Sequence, residues 1–66
     1  MTNNIKVHRA ILGLTQEELA KRVSVSRQTI NAMEANKYVP STVLALKIAK
    51  VFETTVEELF LLGEGD

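Results

Sequence analysis

The sequence has 66 residues, 45% of them hydrophobic and 24% charged, which fits one globular domain spanning residues 1–66, and the absence of cysteine excludes a disulfide framework. The net charge is zero, but residues 1–50 hold all eight basic residues against three acids (+5), whereas residues 51–66 hold five acids and no base (−5). This asymmetry fits a basic face for a polyanion such as nucleic acid, and it also fits a dipolar surface that only aids solubility.

Helix signals recur along the chain, and strand signals do not. Asn3 or Asn4 caps a first predicted helix, which reaches about Leu12 and ends at Gly13. No run of residues alternates with period two over a useful length. Apolar residues recur at helical spacing instead, which favours the stripes of a shared core over a cofactor-binding surface. These stripes are Leu19 and Val23; Ile30 and Met33; Leu44, Ile48 and Phe52; Val56, Leu59 and Phe60.

The second and third predicted helices are short and close together in sequence. Thr15 and Glu18 form a capping box, which opens a second helix that runs through Val23. Ser26 caps a third helix that runs to about Ala35.

The fourth and fifth predicted helices complete the chain. Ser41, which follows a proline, opens a fourth helix that reaches Phe52. Thr55 and Glu58 form a second capping box for a short fifth helix ending near Leu62. The loops between the helices have two to five residues, as in compact helical domains. The predicted fold class is therefore all-α, a five-helix bundle.

No arrangement for catalysis or metal binding is evident. The sequence offers no convincing Ser-His-Asp order, no paired carboxylates and no phosphate loop, so an enzyme is not expected. One histidine without cysteine argues against a metal ion, and a bundle of this size has little room for a cofactor or small-molecule pocket. The longest apolar stretch, Leu59 to Leu62, is too short for a membrane span and no signal peptide is recognisable, so a cytoplasmic protein is expected.

Residues 16–35 have the spacing of a helix-turn-helix. Ala20 provides the small side chain that two steeply crossing helices need where they meet, and apolar residues anchor their inner faces. The outer face of the second of these helices is then free and carries Arg27, Gln28 and Asn31. Arg can bond guanine with two hydrogen bonds, and Gln or Asn can do the same with adenine, so these three residues are predicted to contact DNA bases. The alternative is an ordinary solvated polar face.

The chain resembles the Cro/XRE family of helix-turn-helix regulators, and is closest to its compact members. The resemblance covers about Ile5 to Leu61. It is carried by LTQEELA (14–20), VSRQTIN (25–31), Glu34, NKY (36–38), PS (40–41), LALKIA (44–49) and VEELF (56–60). It implies a phage-repressor-like fold and a transcriptional repressor that binds an inverted-repeat operator in double-stranded DNA as a homodimer.

The resemblance also implies roles for single residues. It implies contacts to the DNA backbone from Gln16, Ser26, Thr29, Asn36, Lys37 and Tyr38. Gln16 would start the second helix and hold a phosphate, and Tyr38 would either reach the sugar-phosphate edge or pack against the loop and Pro40. Arg9 and Glu34 match a pair that forms an internal salt bridge in relatives.

Four positions depart from the family pattern, one of them Thr42, where relatives often carry Leu. Ser24 and Asn36 stand where relatives often carry glycine, so the left-handed backbone there is expected to be slightly strained at Ser24. His8 stands where relatives carry Leu or Ile, and is expected to be partly buried at the edge of the core, with pH sensing as the alternative.

The C-terminal segment from Phe52 to Leu62 offers more apolar surface than one small core needs. Val56, Phe60, Leu61 and Leu62 are therefore predicted to form the homodimer interface. The competing hypothesis is an antitoxin-like protein-interaction module with the same fold. Only residues 63–66 follow the last helix, so the arm that such a module uses to wrap its partner is not expected.

Overall fold

The computed structural model describes residues 1–66 as five helices and a pair of two-residue strands. The elements in chain order are β1 (Thr2–Asn3), α1 (Ile5–Leu12), α2 (Gln16–Val23), α3 (Arg27–Glu34), α4 (Thr42–Val51), α5 (Val56–Leu59) and β2 (Phe60–Leu61). The predicted all-α five-helix architecture is confirmed, with the strand pair as an addition. None of the five helices has the length and apolar character needed to cross a bilayer.

Side chains cap the N-termini of four helices. The capping box on α2 is complete, because Thr15 Oγ1 accepts from Glu18 N at 3.0 Å and Glu18 Oε1 accepts from Thr15 N at 2.9 Å. Ser26, Ser41 and Thr55 cap α3, α4 and α5.

Two predicted caps differ in detail. Thr55 caps α5, but the Glu58 carboxylate accepts from Thr54 Oγ1 rather than from the Thr55 backbone, so the second capping box is only half formed. At α1 the N-cap position belongs to Asn4, whose side chain makes no cap bond, while Asn3 Oδ1 accepts from Ile5 N at 3.1 Å.

The C-terminal end of the chain departs from the prediction. The fifth helix ends at Leu59 rather than near Leu62, and Phe60 turns into an extended conformation. Thr2 and Asn3 pair with Leu61 and Phe60 in antiparallel register. The backbone groups of β2 therefore bond across to β1, where a continued helix would have bonded them internally. Strands of two residues are too short to show a period-two pattern, so they could not be predicted from the sequence.

Fourteen buried residues form one core, and none of them is polar. They are Ile5, Leu14, Leu19, Ala20, Val23, Ile30, Met33, Leu44, Ala45, Ile48, Ala49, Phe52, Leu59 and Phe60. Nine of the ten residues in the predicted stripes belong to this core, and the tenth, Val56, is only partly buried against it. His8 is partly buried at the edge, as predicted, and its ring stacks on Phe52 with the ring centroids 5.4 Å apart.

Candidate nucleic-acid interface

The α2–α3 pair is held by buried residues on the facing sides of both helices. Ala20 and Val23 of α2 are buried, as are Ile30 and Met33 of α3. The turn between the helices is closed by a hydrogen bond from Val25 N to Ala20 O at 3.0 Å. The crossing therefore has the small residue and the apolar anchors that the sequence predicts.

The opposite face of α3 is polar and open to solvent. Arg27, Gln28 and Asn31 are all exposed on this eight-residue helix. Ile30 and Met33 fix the rotation of α3 against the core, so these three side chains lie on the side away from it. They supply donors and acceptors of the kinds that base edges in a major groove pair with.

The start of α3 carries two hydroxyl groups in mutual contact. Ser26 Oγ accepts from Thr29 N at 3.2 Å, and the two hydroxyl oxygens lie 3.0 Å apart. That contact uses one of the two hydroxyl hydrogens. One hydroxyl hydrogen therefore remains able to donate to a phosphate oxygen.

The loop after α3 presents three further residues predicted to contact the DNA backbone. Asn36, Lys37 and Tyr38 are exposed. Asn36 Oδ1 accepts from Asn3 Nδ2 at 3.1 Å, and Asn3 Nδ2 also donates to Met33 O at 2.7 Å. The amide nitrogen of Asn36 is therefore left as a free donor, which suits an anionic partner.

Tyr38 is partly exposed to solvent and partly packed against neighbouring residues. Its side chain lines a shallow cleft of about 230 Å³ together with Val25, Leu44 and Lys47. The residue is 45% exposed, so it packs against the cleft and still presents surface that a DNA backbone can contact.

An ion pair lies behind the open face of α3. Arg9 Nε donates to Glu34 Oε2 at 2.7 Å and Nη2 donates to Oε1 at 3.0 Å, while Nη1 bonds Leu14 O at 2.9 Å. The Arg9 and Glu34 side chains are only 16% and 8% exposed. Burial opposes ionisation of Glu34, but the hydrogen bonds from Arg9 and Gln16 outweigh it, so the pKa of Glu34 lies below its ordinary value. The pair joins α1 to α3.

Gln16 connects this ion pair to the open face. Its Nε2 lies 3.1 Å from Glu34 Oε1 and 3.3 Å from Asn31 Oδ1. This bridge could not be predicted from the sequence, because the residues are far apart in the chain and only the folded crossing brings them together. Gln16 was expected to hold a phosphate, but both N–H groups of its side chain donate to other residues of the same chain.

The predicted dimer residues differ in how much surface they offer. Leu61 and Leu62 are 44% and 82% exposed, whereas Val56 is partly buried. Phe60 is only 9% exposed and belongs to the core of its own chain. A second apolar surface, which was not predicted from the sequence, lies on the outer face of α4 at Val43 and Leu46.

Comparison with known proteins agrees with the geometry. A sequence model described as Helix-turn-helix matches residues 5–59. The chain is 54% identical to an uncharacterized HTH-type transcriptional regulator of Methanocaldococcus jannaschii, over 100% of both chains. It is 52% identical to one of Archaeoglobus fulgidus, over 100% of this chain and 93% of the relative. A protein of the same description from Bacillus subtilis is 48% identical over 97% of both.

Proposed function

Because the chain belongs to the Cro/XRE family of helix-turn-helix DNA-binding transcriptional regulators, we propose that it is a repressor that binds an inverted-repeat operator as a homodimer. The single observation that carries this proposal is the open polar face of α3. This helix is locked to the core on one side and presents Arg27, Gln28 and Asn31 on the other. In the bound state α3 lies in the major groove, and these three side chains read base edges.

The DNA backbone is held by residues at both ends of α3. Ser26 and Thr29 donate a hydroxyl hydrogen at its start, where the helix dipole also favours an anion. Asn36 and Lys37 supply an amide donor and a positive charge just after its end, with Tyr38 beside them. These contacts fix the register of α3 on the duplex.

Two copies are needed because one short helix reads only about 3–5 base pairs. The proposed interface uses the exposed Leu61 and Leu62 together with Val56. The side chain of Phe60, which precedes Leu61 in β2, packs in the core. A two-fold dimer places two reading helices about 34 Å apart, one turn of DNA. Occupancy of an operator at a promoter then blocks the polymerase.

The test is selection of bound DNA from a randomised pool, followed by salt-dependent gel shifts with three variants. Arg27→Ala should weaken binding by about 1–3 kcal/mol and relax the preference at one base pair. Lys37→Ala should weaken all sequences alike and flatten the salt slope by about one unit.

The matched control is Lys50→Ala, which removes an exposed positive charge on α4 outside the proposed contacts. It should bind the selected DNA like the wild type at moderate salt. Loss of sequence preference in Lys50→Ala, with Arg27→Ala unaffected, would assign base reading to a different face.

A further inference from the structure

Asn3 lies between the terminal strand pair and the loop that follows α3. Its backbone pairs with that of Phe60 in the β1–β2 register, and Phe60 is only 9% exposed. The position of Asn3 is therefore fixed against the core. Its half-buried side chain bonds Met33 and Asn36, which lie 30 and 33 residues further along the chain. Asn3 thus connects the ends of the chain to the region just after the proposed reading helix.

Two backbone groups fix the orientation of the Asn3 amide. The N–H of Ile5 can only donate, and it bonds Asn3 Oδ1 at 3.1 Å. The carbonyl of Met33 can only accept, and Asn3 Nδ2 donates to it at 2.7 Å. The same nitrogen has a second N–H, which donates to Asn36 Oδ1 at 3.1 Å. The backbone therefore decides that Asn3 presents a donor to Asn36.

The orientation of the Asn36 amide follows from that of Asn3. If the Asn36 amide were turned over, N–H groups of the two side chains would face each other, so Oδ1 stays on the side of Asn3. Asn36 Nδ2 has no partner within the chain and is the free end of this exposed side chain. The oxygens of a DNA phosphate accept hydrogen bonds, so they can pair with Nδ2 and not with Oδ1. A DNA backbone would therefore meet a donor that is already correctly turned.

We propose that Asn3 is a positioning residue for DNA-backbone binding, which holds the Asn36 amide with its nitrogen free for a phosphate. The proposal rests on the proposed function, in which the loop after α3 lies against the DNA backbone. It gives the terminal strand pair a task in DNA binding, because β1 carries Asn3 and β2 holds β1 in place. Without Asn3, the DNA itself must order the Asn36 side chain, and ordering one such side chain lowers affinity by about two- to tenfold.

The experiment measures the affinity of each variant for an operator selected by the wild type and for a scrambled duplex of equal length. Asn36→Gly removes the amide and keeps the left-handed backbone, since glycine adopts a φ of 60° freely. Asn3→Ala should weaken binding to both duplexes by about two- to tenfold, and by no more than Asn36→Gly does. The salt slope should stay that of the wild type, because neither variant removes a charge.

A double-mutant cycle shows whether Asn3 acts through Asn36. In the Asn36→Gly background, Asn3→Ala should change the affinity by less than about twofold, because the amide that Asn3 orients is already gone. A merely structural contribution of Asn3 would lower the affinity by the same factor in both backgrounds.

The matched control is Asn4→Ala. Asn4 Nδ2 also joins the start of the chain to a backbone carbonyl, that of Glu58 at 3.2 Å, but its side chain forms no hydrogen bond with α3 or the loop after it. This variant should bind both duplexes like the wild type. Asn3→Ser repeats the test with a hydroxyl group that can still accept from Ile5 N, in case alanine disturbs the start of α1. Circular dichroism and urea denaturation show that folded proteins are being compared.

The outcomes separate this inference from the proposed function. If the wild type selects no DNA sequence, the proposed function itself fails. If the wild type selects an operator but folded Asn3→Ala or Asn36→Gly binds it equally tightly, the positioning role is overturned while the proposed function stands. An equal loss from Asn3→Ala in both backgrounds overturns the role as well. So does a changed base preference without a general loss of affinity, which is the behaviour of a base contact.

Discussion

At the scale of single residues, Glu34 joins the three N-terminal helices through one carboxylate. It accepts hydrogen bonds from Arg9 of α1 and Gln16 of α2, and it belongs to α3 itself. With 8% of its side chain exposed, the charge is almost out of water and depends on these partners. Removing one partner of a buried pair is costly because it leaves the other charge uncompensated.

Arg9→Met tests this dependence, since methionine keeps much of the length of the side chain and removes its charge. The variant should lose about 3–5 kcal/mol in the free energy of unfolding, measured by urea denaturation at pH 7. The matched control is Arg22→Met on α2, an exposed arginine without an ion pair, which should change that free energy by less than about 0.5 kcal/mol.

The Arg9–Glu34 pair also makes the stability of the fold depend on pH. The pKa of Glu34 is lower in the folded chain than in the unfolded chain, where it is about 4.3. Its contribution to stability is therefore present above about pH 4.3 and is lost as the pH falls through the lower folded value. The stability gap between wild type and Arg9→Met should be largest near neutral pH and should narrow as acid protonates Glu34, first in the variant, where burial without Arg9 raises the pKa of this carboxyl, and then in the wild type. A gap that persists unchanged in strong acid would assign the loss to packing of the Arg9 stem.

At the scale of elements, four helices end in the same way. Each is followed by one residue in the left-handed region, at Gly13, Ser24, Asn36 and Glu53. The next N–H then reaches back to the carbonyl five residues earlier, as from Thr54 to Ala49 at 3.0 Å. This is the Schellman motif, which satisfies the last carbonyls of a helix. Only one of the four positions is glycine, so three side chains sit in a conformation that L residues disfavour.

Glu53 offers the cleanest measurement of this strain because it lies far from α3 in the chain. At φ 53° its side chain is disfavoured, whereas glycine adopts that conformation freely. Glu53→Gly should raise the free energy of unfolding by about 0.5–1 kcal/mol, after the greater freedom of glycine in the unfolded chain is subtracted. Glu53→Ala is the control, since it removes the same charge without relieving the backbone. A Glu53→Gly variant that is less stable in urea than Glu53→Ala would show that the turn is not strained.

The elements also show what the sequence could and could not predict. The N-caps at Thr15, Ser26 and Ser41 follow local rules, and they were predicted from neighbouring residues alone. The β1–β2 pair was not, because its hydrogen bonds join the two ends of the chain. For the same reason the hydrogen bond from Gln16 to Asn31 could not be predicted, although both residues are predicted DNA contacts. Helix caps depend on neighbouring residues and can be predicted from short stretches of sequence. Hydrogen bonds between distant residues appear only in the folded chain.

At the scale of the whole molecule, the two ends of the chain meet. The N-terminal amine lies 2.8 Å from the Asp66 carboxylate, beside the strand pair. Leu61 and Leu62 lie at the surface beside this contact between the two ends of the chain. The molecule measures only 32 × 22 × 20 Å, so one copy with one helix of the α3 type cannot fill two successive major grooves. Under the proposed function, recognition of an inverted repeat would therefore depend on an interface between copies.

Leu62→Ser tests the proposed interface without disturbing the core, because the side chain is 82% exposed in the single chain. A two-fold interface contains the residue twice, so the loss of burial counts twice. We expect the dissociation constant of the dimer to rise by about tenfold or more, as measured by sedimentation at micromolar concentrations. Affinity for an inverted repeat should fall in parallel, while binding to a half-site should be unchanged.

Val43→Ser is the matched control, because Val43 is also highly exposed but lies on the outer face of α4. If α4 formed the interface instead, this variant would dissociate and Leu62→Ser would remain dimeric. A wild-type chain that sediments only as a monomer, even in the presence of a selected operator, would contradict both surfaces. Since a half-site holds too little information to be unique, such a monomer would need a second DNA-reading element.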